Sequence, residues 1–229
     1  WQLGEQVNER VLAALYRKSD VNFTPNEQID FEDKGIRLCA DQLLRLRSAQ
    51  PFSLFFSSGT LIDAAPWLQA LGEVALPERT LADLGKILWG EGNIERVITT
   101  DSVGAFAELL LESGCLLVWA PPSASLALQQ VVAALPPNVL WSHLTALDPA
   151  GVDRVQALAQ RLGRPASWWL PRDLAPIKEA YAAPLQDARP WEPSRIPRPL
   201  RAWCSDLVES NRGLSAEVCA LASGWHAIG

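Results

Sequence analysis

The sequence of 229 residues contains no methionine, only two histidines and only four cysteines. The cysteines form no CxxC pair, which argues against a zinc knuckle or a thioredoxin-type redox motif. The two histidines, His143 and His226, are too few for a histidine-rich metal site. A Ser-His-Asp triad would have to use one of them. We therefore expect reduced, mostly buried thiols and a cytoplasmic location.

Long apolar runs and phosphate-binding loops are also absent from the sequence. No run approaches the roughly 18 to 20 residues of a membrane span, so we expect no membrane insertion. Neither GxGxxG nor GxxxxGK[ST] occurs, which disfavours a nucleotide-binding α/β domain. Because the chain starts at Trp1 and lacks methionine, we expect it to be part of a longer polypeptide.

Charge excludes one class of partner and leaves another open. The 26 acidic and 20 basic residues give a net charge of −6, which excludes a nucleic-acid binder that is basic throughout. Basic residues nevertheless outnumber acidic ones between residues 151 and 201. Four arginines near an expectedly exposed Trp191 could contact a DNA backbone, namely Arg189, Arg195, Arg198 and Arg201. A solvated face and a protein interface are the two alternative interpretations.

The first 88 residues are predicted to be a mainly helical segment. Apolar spacing indicates helices over 5–17, 34–47 and 61–72. A proline followed by an acidic residue predicts a further helix over 77–88. The run FSLFF at 52–56 is predicted to be a short strand.

From residue 89 onward the pattern predicts a second domain that extends to residue 229. Short apolar strands alternate with amphipathic helices between residues 95 and 171, as a parallel three-layer α/β sheet requires. The proline-rich stretch 182–199 cannot form one helix. Two closing helices are predicted over 200–210 and 214–225.

Two acidic residues follow strands of this predicted sheet. Asp101 ends the first strand and Asp148 precedes a helix after the third. Ligands of parallel α/β sheets meet the carboxyl ends of the strands, and Mg²⁺ binds carboxylates there. Both residues could instead be plain helix N-caps. Gly151 is not required for capping and would allow a close approach of backbone or phosphate.

Three segments in this region resemble a known family. They are ITTDSVGAF, SHLTALDPAGVDRVQALAQRLGR and NRGLSAEV, and together they span roughly residues 95 to 222. Their order and spacing resemble the Toprim domain of the JetD and MksG nuclease subunits of Wadjet and Mks systems, with motifs I-x-E-N-x-x-x-F, G-D-x-D-P-x-G and G-x-x-L-E-Q-E.

The resemblance implies a Toprim-like sheet flanked by helices and a role in plasmid defence or chromosome maintenance. Such a subunit acts on double-stranded DNA with an SMC-like, condensin-related complex, and two copies work together. Metal-dependent phosphodiester cleavage would use Asp101 as acid/base, with Asp148 as a ligand of Mg²⁺ or Mn²⁺ and Glu217 in support. The implied metal ligands are Asp101 and Asp148.

The chain departs from the family pattern at several of these positions. Asp101 stands at the position of the family's glutamate. Ala146 stands where the family has the first aspartate of its DxD pair, and Thr145 stands where it has the nearby glycine. Ser215 stands where the helix start has its other glutamate. The alternative function is therefore a catalytically degenerate Toprim domain that serves as a DNA- or protein-binding scaffold.

Overall fold

The computed structural model describes residues 43–90, 94–121, 125–185, 189–221 and 225–229, all within one compact unit, Leu43–Gly229. The helix predicted over 5–17 and the first part of that over 34–47 lie outside the described residues. Within the part of the chain that is described, no helix is long and apolar enough to cross a membrane.

The first half of the described chain is built mainly of strands. Its elements are β1 (Leu43–Ser48), β2 (Phe52–Phe56), β3 (Leu61–Asp63), α1 (Ala65–Leu71), β4 (Val74–Pro77), α2 (Glu78–Leu81) and β5 (Leu84–Trp89). The strand FSLFF is confirmed as β2. The prediction of a mainly helical segment is wrong for residues 43–88, because this part of the chain contains only two short helices.

β1 shows why the helix prediction fails. Its sequence LLRLRS alternates, with Leu44 and Leu46 fully buried and Leu43 49% exposed. That period of two belongs to a strand, whereas Leu38, Leu43, Leu44 and Leu46 taken together suggest a helical period. β1 also hydrogen-bonds to neighbouring strands on both sides, which the local sequence does not reveal.

The second half alternates strands and helices as predicted. Its elements are β6 (Arg96–Thr100), α3 (Val103–Glu108), β7 (Cys115–Trp119), α4 (Ser125–Ala133), β8 (Leu140–Leu144), α5 (Pro149–Leu162), β9 (Trp168–Pro171), α6 (Ala175–Tyr181), β10 (Ala183–Pro184), two 3-10 turns (Pro193–Arg195 and Arg198–Leu200), α7 (Arg201–Ser210), β11 (Arg212–Gly213), α8 (Ala216–Ala220) and β12 (Trp225–Ile228). The second closing helix is therefore short, and a strand follows it.

Seven strands form one mixed sheet in the order β12-β9-β8-β6-β7-β1-β4. The four central strands β9, β8, β6 and β7 are parallel, whereas β12, β1 and β4 run antiparallel to their neighbours. The α/β class with flanking helices is confirmed, but the sheet is mixed rather than wholly parallel. Since β1 and β4 join this sheet, the boundary predicted at residues 88–89 does not separate two sheets.

The topology places one crevice at the carboxyl ends of the parallel strands. The chain runs outward from β6 to β7, crosses back to β8 and continues away to β9. The direction of winding therefore reverses between β6 and β8, which are adjacent and in register from Arg96 opposite Leu140 to Thr100 opposite Leu144. Ligands of doubly wound sheets bind outside such a reversal point.

The tryptophans divide between core and surface differently from what the sequence predicts. Four of them lie within or beside apolar runs, which predicts burial for Trp67, Trp141, Trp168 and Trp169. The last three are buried, whereas Trp67 is 42% exposed on a short helix. Trp191 was expected to be exposed but is 7% exposed, and its indole N–H donates to the Arg212 carbonyl oxygen at 2.8 Å. The proline-rich stretch thus packs an aromatic anchor against β11.

Candidate functional site

Asp101 directly follows β6 and is held by an arginine from α5. The Arg154 Nη1 donates to Asp101 Oδ2 at 2.6 Å, and the same nitrogen lies 3.3 Å from Thr145 Oγ1. The Asp101 side chain is 13% exposed, whereas that of Arg154 is 46% exposed. The Trp119 indole N–H also donates to the Asp101 carbonyl oxygen. The positive charge beside the Asp101 carboxylate is therefore the guanidinium of Arg154.

The residue that caps α3 is Ser102, so the N-cap interpretation of Asp101 is wrong. The Ser102 hydroxyl oxygen accepts from the Ala105 N–H at 3.0 Å. Its proton is donated to Glu217 Oε1 on α8. This hydrogen bond lowers the pKa of Glu217 below its ordinary value. Ser102 thus joins the start of α3 to the C-terminal part of the chain.

Asp148 is the N-cap of α5, as one of the two interpretations predicted. Its Oδ1 accepts from the Gly151 N–H at 2.6 Å, and Pro149 occupies the first turn. Gly151 permits a close backbone approach, since a Cβ there would lie 2.0 Å from the Ala146 carbonyl oxygen. The predicted close contact is therefore confirmed for backbone.

A cleft of about 230 Å³ adjoins Asp148 on the side of Ala146. Its lining includes Ala146, Asp148, Pro184, Arg189 and Gly213. The Leu147 N–H and carbonyl both hydrogen-bond to Leu214, which closes one side of the loop that carries Asp148. A methyl group stands where the resemblance implies a second carboxylate, and among the described residues that line this cleft Asp148 is the one acidic residue.

The three predicted catalytic acids are each engaged by a different protein group. Asp101 binds Arg154, Asp148 binds the first turn of α5, and Glu217 binds Ser102. Among the described residues, no group of three or more His, Cys, Asp or Glu side chains is placed to hold a metal ion. Each of these carboxylates therefore has a hydrogen-bond partner within the protein, and binding of Mg²⁺ or Mn²⁺ to them stays a prediction.

The four predicted DNA-contacting arginines do not form one unpaired patch. Arg189 and Arg195 both pair with Asp153, at 3.0 and 3.1 Å, although their side chains are 55% and 52% exposed. Arg201 Nε donates to the Ile196 carbonyl oxygen at 3.2 Å, and Arg198 is exposed. These four arginines, named the arginine cluster below, are therefore accessible, but one aspartate partly neutralises two of them.

Two further residues belong to the site. Arg154 lies 53 positions from its partner Asp101, so no local motif connects them. His143 on β8 is 3% exposed, and its Nδ1 lies 2.8 Å from Thr99 Oγ1. Burial lowers the pKa of His143 to about 4, which leaves its ring neutral at pH 7.

No known protein-family model matches the chain, and a search of curated proteins finds no match either.

Proposed function

We propose that this chain is a Toprim-like, JetD/MksG-like subunit that binds double-stranded DNA as a partner of an SMC-like complex and does not cleave it. The sheet order and the two acidic residues that follow β6 and β8 support the Toprim-like assignment. The three segments that resemble the family lie on β6–α3, β8–α5 and β11–α8, which meet at one end of the sheet.

The Asp101–Arg154 ion pair is the observation that carries the non-cleaving role. Phosphoryl transfer on DNA depends on a metal ion that neutralises the developing negative charge. Here the carboxylate that would help to hold the metal already binds a guanidinium at 2.6 Å, and Ala146 supplies no second carboxylate. A divalent ion at Asp101 would have to displace Arg154 and would be repelled by it.

The arginine cluster supports the proposed binding of DNA. Four exposed arginines lie in the segment 189–201, which ends at the first residue of α7, namely Arg189, Arg195, Arg198 and Arg201. Phosphate contacts need accessible cations and give affinity that falls with salt. Because Asp153 competes with phosphate for Arg189 and Arg195, its carboxylate should lower the affinity of the chain for DNA.

A cleavage assay tests the first part of the proposal. We expect the wild-type chain to leave a supercoiled plasmid intact in Mg²⁺ or Mn²⁺, with or without its complex. Combining Arg154→Gln with Ala146→Asp frees Asp101 and restores the second carboxylate. A gain of nicking in this variant identifies the lost groups, whereas cleavage by the wild type that disappears in Asp148→Asn would refute the non-cleaving role.

A matched pair of charge variants tests DNA binding separately. Asp153→Asn releases two arginines, and Asp173→Asn removes the same charge at an exposed position outside the cluster. We expect Asp153→Asn to tighten binding to duplex DNA several-fold more than Asp173→Asn, with a steeper salt dependence. Equal effects of the two variants, or no binding at low salt, would show that this cluster does not contact DNA.

A further inference from the structure

The small sheet β3-β2-β5 has one face toward the core and one face toward solvent. Successive side chains of a strand point to opposite faces of its sheet. In β2, Leu54 is fully buried, whereas Phe55 beside it is 37% exposed and Ser53 is partly exposed. Ser53 and Phe55 therefore belong to the solvent-facing side, together with the residues that pair with them on β3 and β5.

Six side chains form this solvent-facing side, named the outer face below, in two rows across the three strands. The first row is Leu61, Phe55 and Lys86, and the second row is Asp63, Ser53 and Leu88. Leu61 is 58% exposed and Leu88 is 43% exposed. Side chains that are directly opposite or diagonal in antiparallel strands lie within about 8 Å of one another. Leu61, Phe55 and Leu88 thus form a contiguous apolar stripe along one diagonal, which is typical of an interaction surface.

The other diagonal of the outer face carries one charge of each sign. Lys86 and Asp63 are both exposed and lie at opposite corners, one on each side of the apolar stripe. The Asp63 Oδ1 accepts from the Ala65 N–H at 2.9 Å, which orients the carboxylate at the start of α1. A two-fold axis along the stripe would exchange the two charged corners. The outer face is therefore complementary to a second copy of itself, as a two-fold symmetric interface requires.

We propose that the outer face is the contact surface between two copies of this chain, related by a two-fold axis along the Leu61–Leu88 diagonal. The apolar stripes then stack on one another, and Lys86 of each copy lies against Asp63 of its partner. Because the stripe runs obliquely to the strands, the strands of the two copies cross steeply, as in the orthogonal class of sheet packing. A second copy supplies both complementary charges at the required corners. The proposed function assigns no surface to a second copy, and this contact requires neither DNA nor a metal ion.

Sedimentation equilibrium of the whole chain, from micromolar to hundreds of micromolar, measures the proposed dimer. We expect the wild type to show a reversible monomer–dimer equilibrium. Lys86→Glu and Asp63→Lys should each weaken the dimer at least about tenfold, because like charges then meet at both symmetric contacts. Arg161→Glu makes the same change of charge as Lys86→Glu at an exposed position on α5, outside the outer face, and should leave the dimer unchanged.

An equimolar mixture of the Lys86→Glu and Asp63→Lys chains tests the pairing itself. In the mixed dimer both contacts again join opposite charges, so we expect it to form about as tightly as the wild-type dimer. Phe55→Ser keeps both charges of the outer face and should weaken the dimer by removing the central ring of the stripe. Circular dichroism verifies that each variant is folded. A monomeric wild type, a dimer insensitive to Lys86→Glu, or folded variants whose mixture stays monomeric would overturn the proposal.

Discussion

Substituting Gly151 by alanine tests how closely the loop before α5 packs onto its first turn. A Cβ at residue 151 would lie 2.0 Å from the Ala146 carbonyl oxygen and 3.2 Å from Asp148 Oδ1. Helix propensity alone predicts that alanine would stabilise α5 by up to about 1 kcal/mol. The two effects have opposite signs, so the magnitudes decide the outcome.

The steric effect should dominate. The Ala146 carbonyl belongs to backbone that is tied to Leu214 through both groups of Leu147, so it cannot move away freely. Overpacking of this kind costs about 1–3 kcal/mol, and displacement of the Asp148 cap adds roughly 1 kcal/mol. A 2.0 Å contact with backbone that cannot move away falls in the upper part of that overpacking range, about 2–3 kcal/mol. Because the cap loss and the propensity gain nearly cancel, we expect Gly151→Ala to lower the free energy of unfolding by about 2–3 kcal/mol.

Urea and thermal unfolding, followed by tryptophan fluorescence, measure this change. The midpoint temperature should fall by roughly 5–10 °C for a chain of this size. Gly104→Ala is the matched control, in the first turn of α3, where the added Cβ would meet the Glu217 side chain at 2.6 Å. That side chain can rotate away, so a loss of about 1 kcal/mol is expected. A Gly151→Ala variant as stable as Gly104→Ala would refute the reasoning.

The remaining predictions concern the ion pair, the buried histidine and the α3 cap. In a double-mutant cycle of Asp101→Asn and Arg154→Gln, urea unfolding should give a coupling of about 1 kcal/mol, and a few tenths would contradict the pair. Because the folded pKa of His143, about 4, lies below its unfolded value near 6.5, the stability it contributes is present above pH 6.5 and lost as pH falls toward 4. That loss should reach about 3 kcal/mol and vanish in His143→Gln; a wild-type profile in the variant would show that another group titrates. Ser102→Ala should destabilise the chain by about 1 kcal/mol and raise the pKa of Glu217 in an NMR titration, and an unchanged pKa would exclude the hydrogen bond.

Local sequence was sufficient where one signal dominated. CLLVW is an uninterrupted run of five apolar residues, and it forms β7. The Asp148-Pro149 start and the Gly163 stop bracket α5, and Gly163 adopts the left-handed conformation that ends the helix. The helix prediction for the run PERTLADLGKIL is wrong over most of its length, because a helix signal and a strand signal compete in this run. Its start forms α2, but Leu84 and Ile87 are drawn into a strand that pairs with β2.

The structure places Asp101 after β6 and Asp148 after β8, as the sequence predicts, whereas their role in a functional site stays a prediction. Strand ends identified Asp101 and Asp148, because parallel strands present their carboxyl ends at one edge. The spacing between the residues could not show that Arg154 neutralises Asp101 or that Ser102 takes the capping role. Those outcomes depend on which side chains of α5 and α3 face the sheet, and this is a property of packing.

The sequence by itself determined the alternation of strands and helices after residue 95, since period and capping residues act within a few positions along the chain. Only the tertiary structure decided the rest. It added β1 and β4 to the sheet, buried Trp191, and placed Arg154 against Asp101. Each of these features depends on contacts between residues far apart in sequence. Such contacts form only when the whole chain folds, so the local sequence does not reveal them.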